Sequence, residues 1–93
     1  MNTPVMYNAF DTIPQACFQP LAQWTPPSGD DVRSTLRRAN LTAEDFARII
    51  GVDGRTVRRW TCDEIVIPYA SWCLLALEAG SFKFWGKGNT LLK

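Results

Sequence analysis

The three residues Gly51-Val52-Asp53 constrain this chain more than any other feature. The segments on either side are too short to stand as free helices and too regularly apolar to be loops. Before the turn, Thr42 is a helix N-cap with Asp45 at the third helical position, a weaker form of the capping box. Leu41 and Phe46 are spaced to close over it as a hydrophobic staple. Phe46, Ala47, Ile49 and Ile50 give this helix its buried side. It must stop at Gly51, because only glycine takes the left-handed C′ conformation cheaply. After the turn, Asp53 offers a carboxylate cap to a helix over 53–60 that carries Val57 and Trp60 one turn apart. Phe46, Val57 and Trp60 then meet at the elbow. Two short helices locked by a three-residue turn form a helix-turn-helix.

The flanking sequence builds a small helical domain around this unit. Asp30 and Asp31 favour the first turn of a helix over 30–39, where Val32, Leu36 and Ala39 make one apolar stripe and Asn40 is a stop. A last helix over 68–79 begins at Pro68 and ends at Gly80. Tyr69, Trp72, Cys73, Leu74, Leu75, Ala76 and Leu77 make it apolar on most of its circumference, so it is buried on more than one side. A second subunit is the expected source of the extra cover, with Trp72, Leu75, Phe82, Phe84 and Trp85 as the dimer interface. Residues 1–29 hold five of the six prolines, so no long helix runs through them. Met6, Tyr7, Phe10, Ile13, Phe18, Leu21 and Trp24 are too apolar for a solvated linker. This arm either packs across its own domain or covers a second subunit. The expected organisation is an irregular arm at 1–29, a helix-turn-helix domain at 30–80 and a short aromatic tail at 81–93. The expected fold class is all-α, with four to five short helices.

Composition excludes several functions. Ninety-three residues support one core, and 46% hydrophobic with 20% charged residues are globular values. No window reaches the length of a membrane span, and the N-terminus lacks the pattern of a secretory signal, so a cytoplasmic protein is expected. Histidine is absent, which removes Ser-His and Cys-His nucleophiles and mixed Cys-His zinc sites. Cys17, Cys62 and Cys73 are too far apart for a CxxC pair and suit structural thiols in a reducing compartment. No enzyme, cofactor or metal is expected. The net charge is only +1, yet Arg33, Arg37, Arg38, Arg48, Arg55, Arg58 and Arg59 all fall in the central third, whereas the arm carries a single charge, Asp11. Placement of the arginines, not bulk charge, must make any attractive field.

The run from Leu41 to Trp60, with Ala47 small at the helix crossing, Gly51 at the turn, and Val52, Val57 and Trp60 as core contacts, resembles the helix-turn-helix of phage Cro and C1-type repressors. The following Ile67-Pro-Tyr-Ala-Ser-Trp72 and its leucine-rich helix are similar to a variant found in small regulators of phages, plasmids and other mobile elements. The resemblance covers roughly residues 30–80. It implies a lambda-repressor-like domain that represses transcription as a dimer on a palindromic, inverted-repeat operator in double-stranded DNA, with helix 53–60 in the major groove. Base contacts are then expected from Arg55 and Arg59, with Thr56, Asp53 and Gly54 nearby. Phosphate contacts are expected from Arg58, Thr42, Ala43 and Arg48. Gly54 departs from the polar reader common in such repressors, and Asp53 is an acid facing a polyanion. The rival reading is an antitoxin or phage-encoded interaction module that binds a protein partner through the nearly uncharged N-terminal arm.

Overall fold

The computed structural model describes residues 13–80. Two 3-10 helices, Gln15–Phe18 and Leu21–Gln23, precede four α-helices: α1 (Gly29–Arg38), α2 (Ala43–Ile50), α3 (Gly54–Thr61) and α4 (Tyr69–Glu78). The fold is all-α, with no strand among the described residues. Phe82, Phe84, Trp85 and the rest of the aromatic tail lie outside those residues, as does the beginning of the arm.

The helices start and stop by local chemistry. Ser28 caps α1 and Thr42 caps α2, each in a complete capping box whose acid is Asp31 or Asp45. The Asp53 carboxylate accepts from the Arg55 N–H at 3.0 Å to cap α3. Pro68 stands at the cap position of α4, one place before the first turn the sequence predicted for it. At the other ends, Asn40, Gly51, Asp63 and Gly80 each follow the last turn of a helix with positive φ. The N–H one residue further on closes the turn in three of them: Leu41 to the Leu36 carbonyl, Val52 to Ala47 and Glu64 to Arg59. These are Schellman-type locks, and only one of the three uses glycine.

α3 packs against both α1 and α2, and α4 packs against α1. Val32, Leu36, Phe46, Ala47, Val57, Trp60, Ile67, Trp72, Leu75 and Ala76 form one continuous core. The predicted elbow residues Phe46, Val57 and Trp60 are all buried in it. Ile49 is not: it is 56% exposed, because α2 has one face on α3 and Ile49 lies off it. Val52, expected as a core contact, also stands exposed on the turn.

The N-terminal segment supplies the remaining wall. Ile13, Cys17 and Phe18 are buried with the helices, and the Phe18 ring lies 5.7 Å from that of Trp72. Its backbone is anchored by aromatic polar tips. The indole N–H groups of Trp72 and Trp24 both donate to the Cys17 carbonyl, at 2.6 and 3.0 Å, and the Tyr69 hydroxyl donates to the Gln19 carbonyl at 2.9 Å. This corrects the interface expected on α4. Trp72 and Leu75 are each 0% exposed, so they have no surface to offer a second subunit. The extra cover that the apolar helix required comes from the chain's own arm. The large apolar residue that α4 leaves in solvent is Leu74, and the loop before it leaves Ile65 and Val66.

Candidate nucleic-acid interface

The turn at Gly51 sets the crossing of α2 and α3 and leaves one face of α3 in solvent. Gly51 has φ 80°, and its N–H and that of Val52 both donate to the Ala47 carbonyl, which reverses the chain within one residue. Val57, Trp60 and Thr61 bury one side of α3, and Arg55, Arg58 and Arg59 stand exposed on the other. Asp53 is exposed at the cap, and Gly54 and Thr56 are half-buried in the first turn. All five residues expected at base edges therefore sit on one short helix or its cap.

The arginines are not equivalent. Arg33 donates to the Thr61 carbonyl at the end of α3 and pairs with Asp30, so its work is inside the fold. Arg48 pairs with Asp45 at 2.7 Å, and Arg59 lies 3.7 Å from Glu64. Arg58 reaches back across the elbow to pair with Glu44 of α2. Arg55 makes no ion pair among the described residues, and neither does Arg37. Exposed pairs of this kind hold their partners weakly, each worth about 0–1 kcal/mol, and a phosphate can displace the acid.

At the start of α2, the capping box uses the N–H groups of Thr42 and Asp45. Those of Ala43 and Glu44 are first-turn donors with no helical acceptor. Hydrogen bonds from Thr42, backbone first and hydroxyl second, hold the Asp45 carboxyl below its ordinary range. Beside this turn an open cavity is lined by Arg37, Asn40, Leu41 and Thr42. The helix start that was expected to meet phosphate thus has next to it an exposed guanidinium, that of Arg37, with no ion pair among the described residues. The sequence assigned Arg37 no role, since its neighbour across the cavity is set by the tight reversal at Asn40.

Glu44 is the other residue that sequence reasoning missed. A β-carbon at Gly54 would lie 2.9 Å from a Glu44 carboxylate oxygen, so the carboxylate rests over the first turn of α3 as well as on Arg58. Its fourteen-residue separation from Arg58 carries no periodic signal. Only the angle between α2 and α3 brings them together. No group of histidine, cysteine or acidic side chains among the described residues can hold a metal ion. Cys62, at the end of α3, is exposed, and Cys17 and Cys73 are buried as free thiols. No helix among the described residues is long and apolar enough to cross a membrane.

No protein-family model matches the chain, and no solved structure does. Sequence relatives do. A transcriptional repressor protein KorC of Escherichia coli is 42% identical over 72 residues, spanning 74% of this chain and 85% of that protein. Another KorC repressor from Escherichia coli is 41% identical over 76 residues, spanning 77% of this chain and 89% of its own length. Identity of this order, across most of both proteins, cannot be carried by the twenty residues of the motif alone. The chain belongs to the family of KorC transcriptional repressor proteins.

Proposed function

We propose that this protein represses transcription by binding double-stranded DNA in a sequence-specific manner, with α3 in the major groove, in the manner of Cro and C1-type regulators. The observation that carries this reading is the presentation of α3. A tight turn holds its apolar side in the core and leaves Arg55 exposed beside the cap, with no ion pair among the described residues, in a chain whose relatives are named as repressors. The major groove admits a helix of this size, and an arginine near its start can donate two parallel hydrogen bonds to guanine O6 and N7. Arg55 and Arg59 read bases, with Thr56, Gly54 and Asp53 close to the same edges. Arg58, Arg48, Thr42 and Ala43 meet phosphates, and Arg37 joins them.

The active species in this reading is a homodimer whose two recognition helices stand about 34 Å apart on an inverted repeat. Trp72 and Leu75 take no part in the contact between subunits. Ile65, Val66 and Leu74, which the single chain leaves in water, supply it together with Phe82, Phe84 and Trp85 of the tail. Fluorescence anisotropy with duplex DNA over a range of salt tests the reading. Wild-type protein binds with a linear loss of log affinity against log salt, about 0.9 per phosphate neutralised. Arg55→Ala loses its preference for sequence without a change in thermal midpoint. Unchanged affinity and preference in that variant would remove Arg55 from the base contacts, and no binding by the wild type would remove the function.

A further inference from the structure

Glu44 places a negative charge where the proposed interface needs a positive one. Its carboxylate lies over Gly54, at the end of α3 nearest the bases, and pairs with Arg58, one of the cations assigned to phosphate. Both side chains of the pair are half exposed. The contact is therefore exchangeable: solvent screens it, and little is lost when it opens. Asp30 and Asp45 pair with arginines three residues away on their own helices, as neighbours on a helix surface do. Glu44 differs from them in reaching from α2 onto α3 and in resting against the one residue of the first turn that has no side chain.

We propose that Glu44 is a selectivity-determining residue, which withholds Arg58 from DNA of the wrong sequence. The inference rests on the DNA-binding function proposed above. In a loose complex on random sequence, α3 is not seated, and Arg58 stays with Glu44. The protein then has one phosphate contact fewer, and a carboxylate faces the polyanion. When α3 seats on its own site, a phosphate is held fixed against Arg58 and displaces the weak internal partner, which the loosely placed phosphates of random DNA do not. Affinity for any sequence is lowered, but more for the wrong sequence than for the right one. The ratio between them rises.

The test compares wild type, Glu44→Gln, Arg58→Ala and the double variant on two probes: a short duplex of random sequence and a duplex selected from a random pool for tight binding to the wild type. Glutamine keeps the size and removes the charge, and thermal unfolding checks that each variant remains folded. Glu44→Gln tightens binding to the random duplex about tenfold at low salt and steepens its salt slope by about 0.9, one phosphate. Binding to the selected duplex tightens by less, about threefold at most, since Arg58 is already released there. In the Arg58→Ala background the steeper slope disappears. Unchanged affinity and slope on the random duplex overturns the proposal. So does a gain of equal size in the Arg58→Ala background, or weaker binding to the selected duplex with an altered base preference, which would make Glu44 a base acceptor. Binding of the wild type without the Glu44→Gln effect rejects this inference alone, and no binding by any form rejects the function with it.

Discussion

At Gly29 a β-carbon would lie 2.7 Å from the carbonyl carbon of Thr61 and 3.1 Å from the backbone nitrogen of Asp63. Neither can move without displacing the end of α3. The Gly29 N–H also donates to the Asp63 carboxylate at 2.7 Å, and Arg33 donates to the Thr61 carbonyl, so the start of α1 and the end of α3 form one joint. Gly29→Ala improves helix propensity and yet destabilises the protein, by about 2–3 kcal/mol, because the clash is with backbone. Chemical denaturation measures this directly. Cys17 makes a second prediction at this scale. Burial, with a smaller contribution from the Asp31 charge, pushes its thiol up to about 11 from 9.0. The folded state then holds the proton more tightly than the unfolded one. Its contribution is complete below about pH 9 and is lost as pH rises toward 11, so the urea midpoint falls over that window. Cys17→Ala flattens the fall. Ser28 shows what the residue scale hid from sequence: the helix was expected to start at Asp30, but Ser28 caps it, and the Thr61 contact supplies the reason for glycine at the first helical position.

At the scale of elements, the sequence was most legible where local chemistry decides and least where packing does. Gly51, Gly80 and Asn40 end helices where they were expected to, and the Thr42 box is complete. Thr42→Ala removes the hydroxyl that accepts from the Asp45 N–H, keeps the backbone N–H that donates to the Asp45 carboxylate, and lowers the thermal midpoint by about 5 °C near neutral pH. Asp45 is held low by that box, so its contribution is present above the ordinary carboxylate value of 3.8 and is lost as pH falls through the lower folded value. Thr42→Ala gives up only the hydroxyl's smaller share of that lowering, so the gap between wild type and variant narrows in part in acid, which thermal melts at pH 7 and near pH 3 compare. Asp63 was less legible: no periodic signal marks it, yet its positive φ and its bond to Gly29 make it the stop of α3. Ile49 was assigned to the core from spacing alone. An eight-residue helix has room for one buried stripe, which Phe46 and Ala47 fill.

At the scale of the whole molecule, an apolar surplus on α4 was correctly read as a helix with two covered sides and wrongly given to another subunit. Periodicity counts the sides that need cover and says nothing of what covers them. The arm does so because Trp72, Trp24 and Tyr69 each carry a donor that a proline-rich backbone, short of its own hydrogen bonds, can accept. The candidate interface was legible as a set of arginines on α3 and not as an electrostatic arrangement, since the ion pairs cross elements. Among the described residues Arg55 and Arg37 are left without acids, and Arg58 is tied to Glu44. Such a surface has a small net charge and a few exposed cations, which suits discrimination between sites better than strong general attraction to DNA.

The measurement that tests the central claim most directly is selection from a randomised duplex library at physiological salt, run in parallel with the Arg55→Ala/Arg59→Ala protein. Enrichment of an inverted repeat with half-sites one helical turn apart, lost in the double variant, is the predicted result. A folded protein that enriches no site, or enriches the same site after both arginines are removed, would contradict recognition through α3.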